Sequence, residues 1–139
     1  MTKRAVVFGG AGFIGSKLSR NLVDDGRHVV VFDSLSRRGS ELNIAWLQEL
    51  YGDDRLQFIQ GDIRDAKAVQ AAVRHADEIY HLAAQVAVTT SVDDPRTDFE
   101  INALGTLNVL EAVRQSGRRP PMFTPVMKSC SLVSPTMTS

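Results

Sequence analysis

Three glycines and one aspartate carry the chemical signal of this sequence. Gly9, Gly12 and Gly15 fall three residues apart in AVVFGGAGFIG, and Asp33 ends a second apolar run, Val29–Phe32. In a G-x-x-G-x-x-G turn the first glycine permits a sharp reversal out of a strand. The second lets a pyrophosphate approach the backbone, and the third lets a helix pack closely on the strand. Unpaired N–H groups at the helix start, with the positive end of its dipole, attract the anion. An acid at the tip of the next strand, ~20 residues on, accepts hydrogen bonds from ribose hydroxyls and repels a 2′-phosphate. That chemistry is dinucleotide binding, with NAD favoured over NADP. Glycines and aspartates also serve plain turns and caps, so the motif gains its meaning from what surrounds it.

The surroundings are an alternation of strand and helix patterns. Ala5–Phe8 is apolar without alternation, as suits a central parallel strand covered on both faces. Ile14, Leu18 and Leu22 follow at helical spacing, and Gly26 closes that helix. Ser40 is the expected N-cap of a helix through Leu50, with Leu42, Trp46, Leu47 and Leu50 as its apolar stripe. Gly52-Asp53-Asp54 breaks it, and Leu56–Ile59 is a third strand running into Gly61-Asp62-Ile63. Asp65 can cap a helix whose Val69, Ala72 and Val73 face inward, and Glu78–Leu82 is a fourth strand. A loop with Thr89, Thr90 and Ser91 leads to a long helix from about Pro95 to Gln115. Its expected buried side is Phe99, Ala103, Leu107, Leu110 and Val113 or Val109, with Gly117 as its stop. Pro120-Pro121 precede a fifth strand at Met122-Phe123.

This alternation predicts an α/β fold, a Rossmann-like doubly wound parallel sheet of about five strands. Ligands of such sheets sit beyond the carboxyl ends of the strands. The candidate loops are therefore Gly9–Ile14, Asp33–Arg37, Asp62–Ile63, Leu82–Gln85 and Phe123–Thr124.

Composition narrows the function classes. The 139 residues suffice for one domain, which buries roughly 68–70% of its unfolded surface. Sixteen Lys and Arg balance sixteen Asp and Glu, so neither a nucleic-acid nor a membrane partner is expected. One cysteine, Cys130, excludes an internal disulfide and a cysteine metal site. It fits a reducing cytoplasm, as does the strand that starts close to Met1 without a signal peptide ahead of it.

GGAGFIG, Asp33, Gly61-Asp62-Ile63 and His81-Leu82-Ala83-Ala84 together resemble the extended short-chain dehydrogenase/reductase family of nucleotide-sugar epimerases and dehydratases. FDSLSRRGSELNIAWL and AAQVAVTTSVDDPRTDFEINALGTLNVLEAVRQSG are most similar to its CDP-tyvelose (CDP-paratose) 2-epimerase group. The resemblance spans about residues 4–123 and implies NAD as cofactor and a nucleotide sugar as substrate of the full-length enzyme. It implies that Gly9, Gly12, Phe13 and Ile14 hold the pyrophosphate, and that Asp33 binds the adenosine ribose with Ser36 and Arg37 nearby. Asp62 and Ile63 would contact the adenine edge, and Leu82, Ala83, Ala84 and Gln85 would line the nicotinamide side. Asn102 matches an asparagine that supports the active site, and Ser91 a position near the substrate. Asp62 could instead cap a turn, Asn102 satisfy a buried backbone group, and Ser91 cap the following helix. His81 is expected in the core. The resemblance also allows a homodimer through the long helix.

Two departures stand out. Phe8 occupies a position where the family commonly has threonine. After Phe123 the pattern gives way to TPVMKSCSLVSPTMTS, and no Tyr-x-x-x-Lys occurs: Tyr51 and Tyr80 have Arg55 and Ala84 four residues on. In the family a tyrosine with its pKa lowered by lysine and NAD⁺ removes a sugar hydroxyl proton while hydride passes to the nicotinamide and returns on the other face. No substitute acid–base dyad and no metal set is evident, so no residue is assigned a catalytic role. The expectation is a cofactor-binding domain over residues 1–123 and a divergent, poorly ordered tail over 124–139. The sugar-binding domain would be missing, as in a truncated or frame-shifted product. An NAD-binding module and a nonfunctional fragment stand as the alternatives.

Overall fold

Apolar, largely β-branched runs alternate with helices to build a five-stranded parallel sheet in the order β3-β2-β1-β4-β5. The computed structural model describes residues 2–83 and 94–124. The strands are β1 (Arg4–Phe8), β2 (His28–Asp33), β3 (Leu56–Gln60), β4 (Glu78–His81) and β5 (Met122–Phe123). Between them run α1 (Phe13–Asp24), α2 (Ser40–Leu50) and α3 (Ala66–Val73). A last helical rod precedes β5: α4 (Pro95–Phe99), a π-helical turn over Glu100–Leu104, and α5 (Gly105–Ser116).

Alternate residues of the same strands enter two cores, as unbroken apolar strands require. Val6, Phe8, Val30, Phe32 and Ile79 join Val69, Ala72, Val73, Val109 and Ala112 on one face. Ala5, Val7, Val29 and Val31 join Leu22, Val23, Ile44 and Leu47 on the other. Phe8, where threonine was the family expectation, is fully buried against Phe32, with ring centroids 5.1 Å apart. The order of growth reverses between β1 and β4, so a crevice opens at their carboxyl ends.

The strands, the Asp65 cap and the Gly117 stop stand where the sequence predicts them. Asp65 accepts the Ala68 N–H, and Gly117 has a left-handed φ of 73°. The helix faces need correction. α1 buries Gly15, Ser16, Ser19, Leu22 and Val23, while Ile14 is exposed. Small residues let this helix approach the sheet, and the Ser19 hydroxyl donates to the Gly15 carbonyl at 2.7 Å. In α2 the cap is Gly39, not Ser40, whose hydroxyl donates instead to the Arg37 carbonyl at 2.6 Å. That helix buries Ile44 and Leu47 and leaves Leu42 and Leu50 exposed.

The last rod shows the largest difference. Val109 is buried as expected, with Gly105 and Ala112, whereas Phe99, Ala103, Leu107 and Leu110 are exposed. The π-helical turn inserts an extra residue and rotates the face presented beyond it. α5 lies against α3 and Ile63, and a Cβ at Gly105 would stand 2.7 Å from Ile63 Cγ2. A side chain at Gly105 does not fit that seam, and the leucines stand on the outward side. Among the described residues, no helix is long and apolar enough to cross a membrane.

Candidate functional site

The crevice is a cleft of about 640 Å³ at the carboxyl ends of the strands. Gly9, Gly12, Phe13, Ile14, Asp33, Ser36, Arg37, Asp62, Ile63, Leu82 and Ala83 all line it. The residues assigned by sequence to pyrophosphate, ribose, adenine and nicotinamide thus share one wall system. Ala84, Gln85, Ser91 and the tail from residue 125 lie outside the described residues. Phe123 and Thr124 do not line the cleft, because β5 stands at the sheet edge, beyond β4.

The glycine turn is built for close approach. Gly9 has a φ of 83°, which suits glycine, and a Cβ there would meet the Ala83 nitrogen at 2.8 Å. A Cβ at Gly15 would stand 2.2 Å from the Gly9 carbonyl oxygen, so this glycine is required by the turn itself. Gly12 differs: its nearest neighbour would be the Gly9 oxygen at 3.4 Å, an ordinary contact. The open space in front of Gly12 belongs to the cleft. α1 begins here with no side-chain cap and no acid in its first turn. The N–H groups of its first turn therefore lack a side-chain acceptor at the cleft, which fits a bound pyrophosphate.

Asp33 stands at the end of β2 across from this turn. One carboxylate oxygen accepts the Ala11 N–H at 3.0 Å and the other the Leu35 N–H at 2.8 Å. Each oxygen retains capacity for a further donor, as ribose hydroxyls would supply. Leu35 takes a left-handed φ of 61°, unusual for a branched residue. Ser36 and Arg37 are exposed on the same loop.

At the other end Asp62 accepts three kinds of donor from Arg64: the backbone N–H at 2.8 Å, Nε at 3.0 Å and Nη2 at 2.7 Å. The guanidinium holds the Asp62 carboxyl below its ordinary pKa. Ile63 is buried on the cleft floor, and its carbonyl accepts from Asn108 at 3.0 Å. Thr97 and Ile101 complete that end from the last helical rod.

Several contributors escaped the sequence reading. Arg64 was open to it, being a cation two residues from an acid. Asn43 was not: its amide reaches the Ala11 carbonyl at 2.7 Å only because α2 folds back over the glycine turn. His81 lies in the core as expected, with Nε2 2.8 Å from the Thr106 hydroxyl, and burial lowers its pKa. Asn102 sits in the π-helical turn, and its buried Oδ1 has no partner among the described residues. The described residues hold no cluster of three or more metal-ligating side chains.

Comparison with known proteins agrees with this geometry. The family model for GDP-mannose 4,6 dehydratase matches residues 6–131, past the point at Phe123 where the sequence pattern was expected to end. The chain is 46% identical over 114 residues to the CDP-paratose 2-epimerase of Salmonella typhi, covering 81% of this chain and 33% of that protein. It is similar to the Thermus thermophilus UDP-glucose 4-epimerase solved with NAD, with TM-score 0.68 and 38% identity over 85% of this chain and 36% of that one. It is also similar to the Streptomyces venezuelae dTDP-glucose 4,6-dehydratase DesIV solved with NAD, with TM-score 0.72 and 38% identity over 82% and 36%. The chain spans about a third of the length of the curated relatives it matches.

Proposed function

The chain belongs to the GDP-mannose 4,6-dehydratase family of NAD-dependent epimerases and dehydratases, and on that premise we propose that it is the NAD-binding portion of a nucleotide-sugar epimerase. One observation carries the reading. The uncapped start of α1 and the Asp33 carboxylate face a single cleft that has Asp62 at its far end. Gly9, Gly12, Phe13 and Ile14 hold the pyrophosphate there. Asp33 takes the adenosine ribose, with Ser36 and Arg37 beside it, and Asp62 and Ile63 take the adenine. Leu82 and Ala83, followed in sequence by Ala84 and Gln85, line the nicotinamide side. When bound, NAD supplies the hydride acceptor and donor of the sugar chemistry. The contribution of this domain is to bind and orient it.

The identity to the Salmonella typhi enzyme supports a CDP-paratose 2-epimerase type of activity for the whole protein. On this reading residues 1–123 form the cofactor domain and the location is cytoplasmic. The exposed apolar row Leu104, Leu107 and Leu110 then serves association with a second copy. A second reading is a module that holds NAD without chemistry. Calorimetric titration of the purified chain with NAD tests both, and absence of binding at millimolar NAD overturns both. Fusion to the remaining two thirds of a family enzyme separates them: restored epimerisation favours the first.

A further inference from the structure

Between the cleft's adenine end and the last helical rod runs a short chain of charge. Arg64 places its Nε and Nη2 on Asp62 and turns Nη1 toward Glu100 Oε2 at 3.4 Å. Glu100 in turn lies 3.5 Å from Arg96. Asp62 follows β3, while Glu100 opens the π-helical turn, beside the Thr97 and Ile101 that line the cleft. One guanidinium therefore spans two walls.

The occupancy of the Asp62 oxygens makes the arrangement directional. Oδ1 accepts both the Arg64 backbone N–H at 2.8 Å and Nε at 3.0 Å, which fills its two lone-pair directions. Oδ2 accepts Nη2 at 2.7 Å and shares Nε at 3.2 Å. Each oxygen thus meets two donors, but Oδ2 takes only the longer share of Nε, which leaves it the more open of the two to a further donor. A fork of this kind fixes the plane of a carboxylate, which a point charge does not. Without Arg64, Asp62 would lose its guanidinium partner and the link to Glu100 across the cleft.

We propose that Arg64 is a positioning residue for base recognition: its fork on Asp62 and its reach to Glu100 aim Asp62 Oδ2 at the exocyclic amino group of adenine. The inference rests on the reading of the cleft as a dinucleotide site. An amino group donates to a carboxylate, whereas the oxo group of hypoxanthine repels it; hypoxanthine's own donor, N1–H, lies one ring position away, so an oxygen held on the amino position selects adenine and a freed one would not.

The test compares NAD with nicotinamide hypoxanthine dinucleotide, which carries an oxo group in place of the amino group and an N1–H in place of the bare ring nitrogen. The wild-type chain is expected to bind NAD about tenfold more tightly than the analogue, as a hydrogen bond to a charged group would give. Arg64→Gln should bring the ratio close to one, mostly by weakening NAD. Arg64→Lys, which keeps the charge and loses the fork, should fall between. Glu100→Gln should lower the ratio in the same direction. A merely structural role would weaken both dinucleotides equally and keep the ratio. Unchanged ratios in folded Arg64→Gln and Arg64→Lys overturn the proposal while leaving the cleft assignment standing. A wild-type chain that binds neither dinucleotide overturns the cleft assignment and the proposal with it.

Discussion

The Asp33 carboxylate accepts the Ala11 N–H at 3.0 Å across a sequence separation of 22 residues. Asn43 holds the Ala11 carbonyl from the other side at 2.7 Å. Ala11 is fully buried, so its peptide depends on these two side chains for its hydrogen bonds. The acid expected to hold a ribose therefore also fastens the glycine turn to β2. Binding and folding share one group.

That double duty shapes the outcome of Asp33→Ala. The variant loses the repulsion of a 2′-phosphate, so the preference for NAD over NADP should fall about tenfold or more. It also strands the Ala11 N–H, at a cost of about 1–3 kcal/mol. Titration with both cofactors and urea denaturation measure the two effects separately. Equal or tighter NADP binding by the wild-type chain would count against the assignment. Arg37, exposed on the same loop, is the group able to accept a 2′-phosphate in that event.

Gly12 and Gly15 should separate in the same way. Gly15→Ala forces a Cβ to 2.2 Å from the Gly9 oxygen, and the turn must move. Gly12→Ala meets only an ordinary 3.4 Å contact within the protein. Gly12→Ala is expected to keep its stability within about 1 kcal/mol and to lose NAD affinity, and Gly12→Val to lose more. Gly15→Ala should lower the thermal midpoint by several degrees, as ~1 kcal/mol or more does in a domain of this size. Folded Gly12 variants with unchanged affinity would make the turn structural only.

The strands and the glycine turn were legible because their signals are local. An unbroken apolar run, a glycine spacing and a strand-end acid each fit within a few residues. The helix faces were not, because burial depends on which neighbour arrives. Leu107 and Leu110 have the hydrophobicity of core residues, yet the side of the helix that meets α3 and Ile63 is that of Gly105, Val109 and Ala112, of which only Val109 was expected. Ile14 likewise follows helical spacing but stands exposed at the mouth of the cleft. Asn43 became visible only when two distant segments met, and so did the reach of Arg64 to Glu100, whereas its pairing with Asp62 two residues away was within reach of the sequence.

This corrected face has its own test. Val109→Ala, in the seam, should cost about 2 kcal/mol by denaturant melting. Leu107→Ala, on the exposed side, should change the monomer's stability by no more than about 0.5 kcal/mol. If the exposed row seats a second copy, Leu107→Ala will weaken association in sedimentation. A large stability loss from Leu107→Ala at dilutions where the chain is monomeric would contradict the burial pattern.

His81 predicts a pH dependence. Burial holds its imidazole below the ordinary value, beside Thr106 and Phe8, with Nδ1 lacking a partner among the described residues. Below about pH 6.5 the unfolded chain takes up a proton that the folded chain refuses. More protons on the unfolded state mean that stability falls as pH falls. The midpoint of urea denaturation should therefore drop between pH 7 and pH 5.5. His81→Gln should reduce that slope, whatever its effect on absolute stability. A slope unchanged in His81→Gln would place the titrating group elsewhere.

The 139-residue chain by itself should show no epimerase turnover. A sugar hydroxyl must lose its proton to a base within hydrogen-bond reach, about 2.6–3.2 Å. The family's base is a tyrosine made more acidic by a neighbouring lysine, and neither Tyr51 nor Tyr80 has a lysine four residues on. Their surroundings act in the opposite sense. Burial pushes the Tyr51 phenol up, with Asp24 beside it, and burial pushes Tyr80 up, with Glu78 beside it. Neither lines the cleft. His81 is neutral enough to accept a proton but is enclosed in the core. Positioning of the sugar, which can be worth ~7–11 kcal/mol of a barrier, has no evident source in the described residues. Incubation with NAD and CDP-paratose, followed by chromatography of the sugars, is expected to return the substrate unchanged. Turnover that scales with protein and disappears in Gly12→Val would overturn this expectation and move the search for a base to Tyr80, His81 or a second chain.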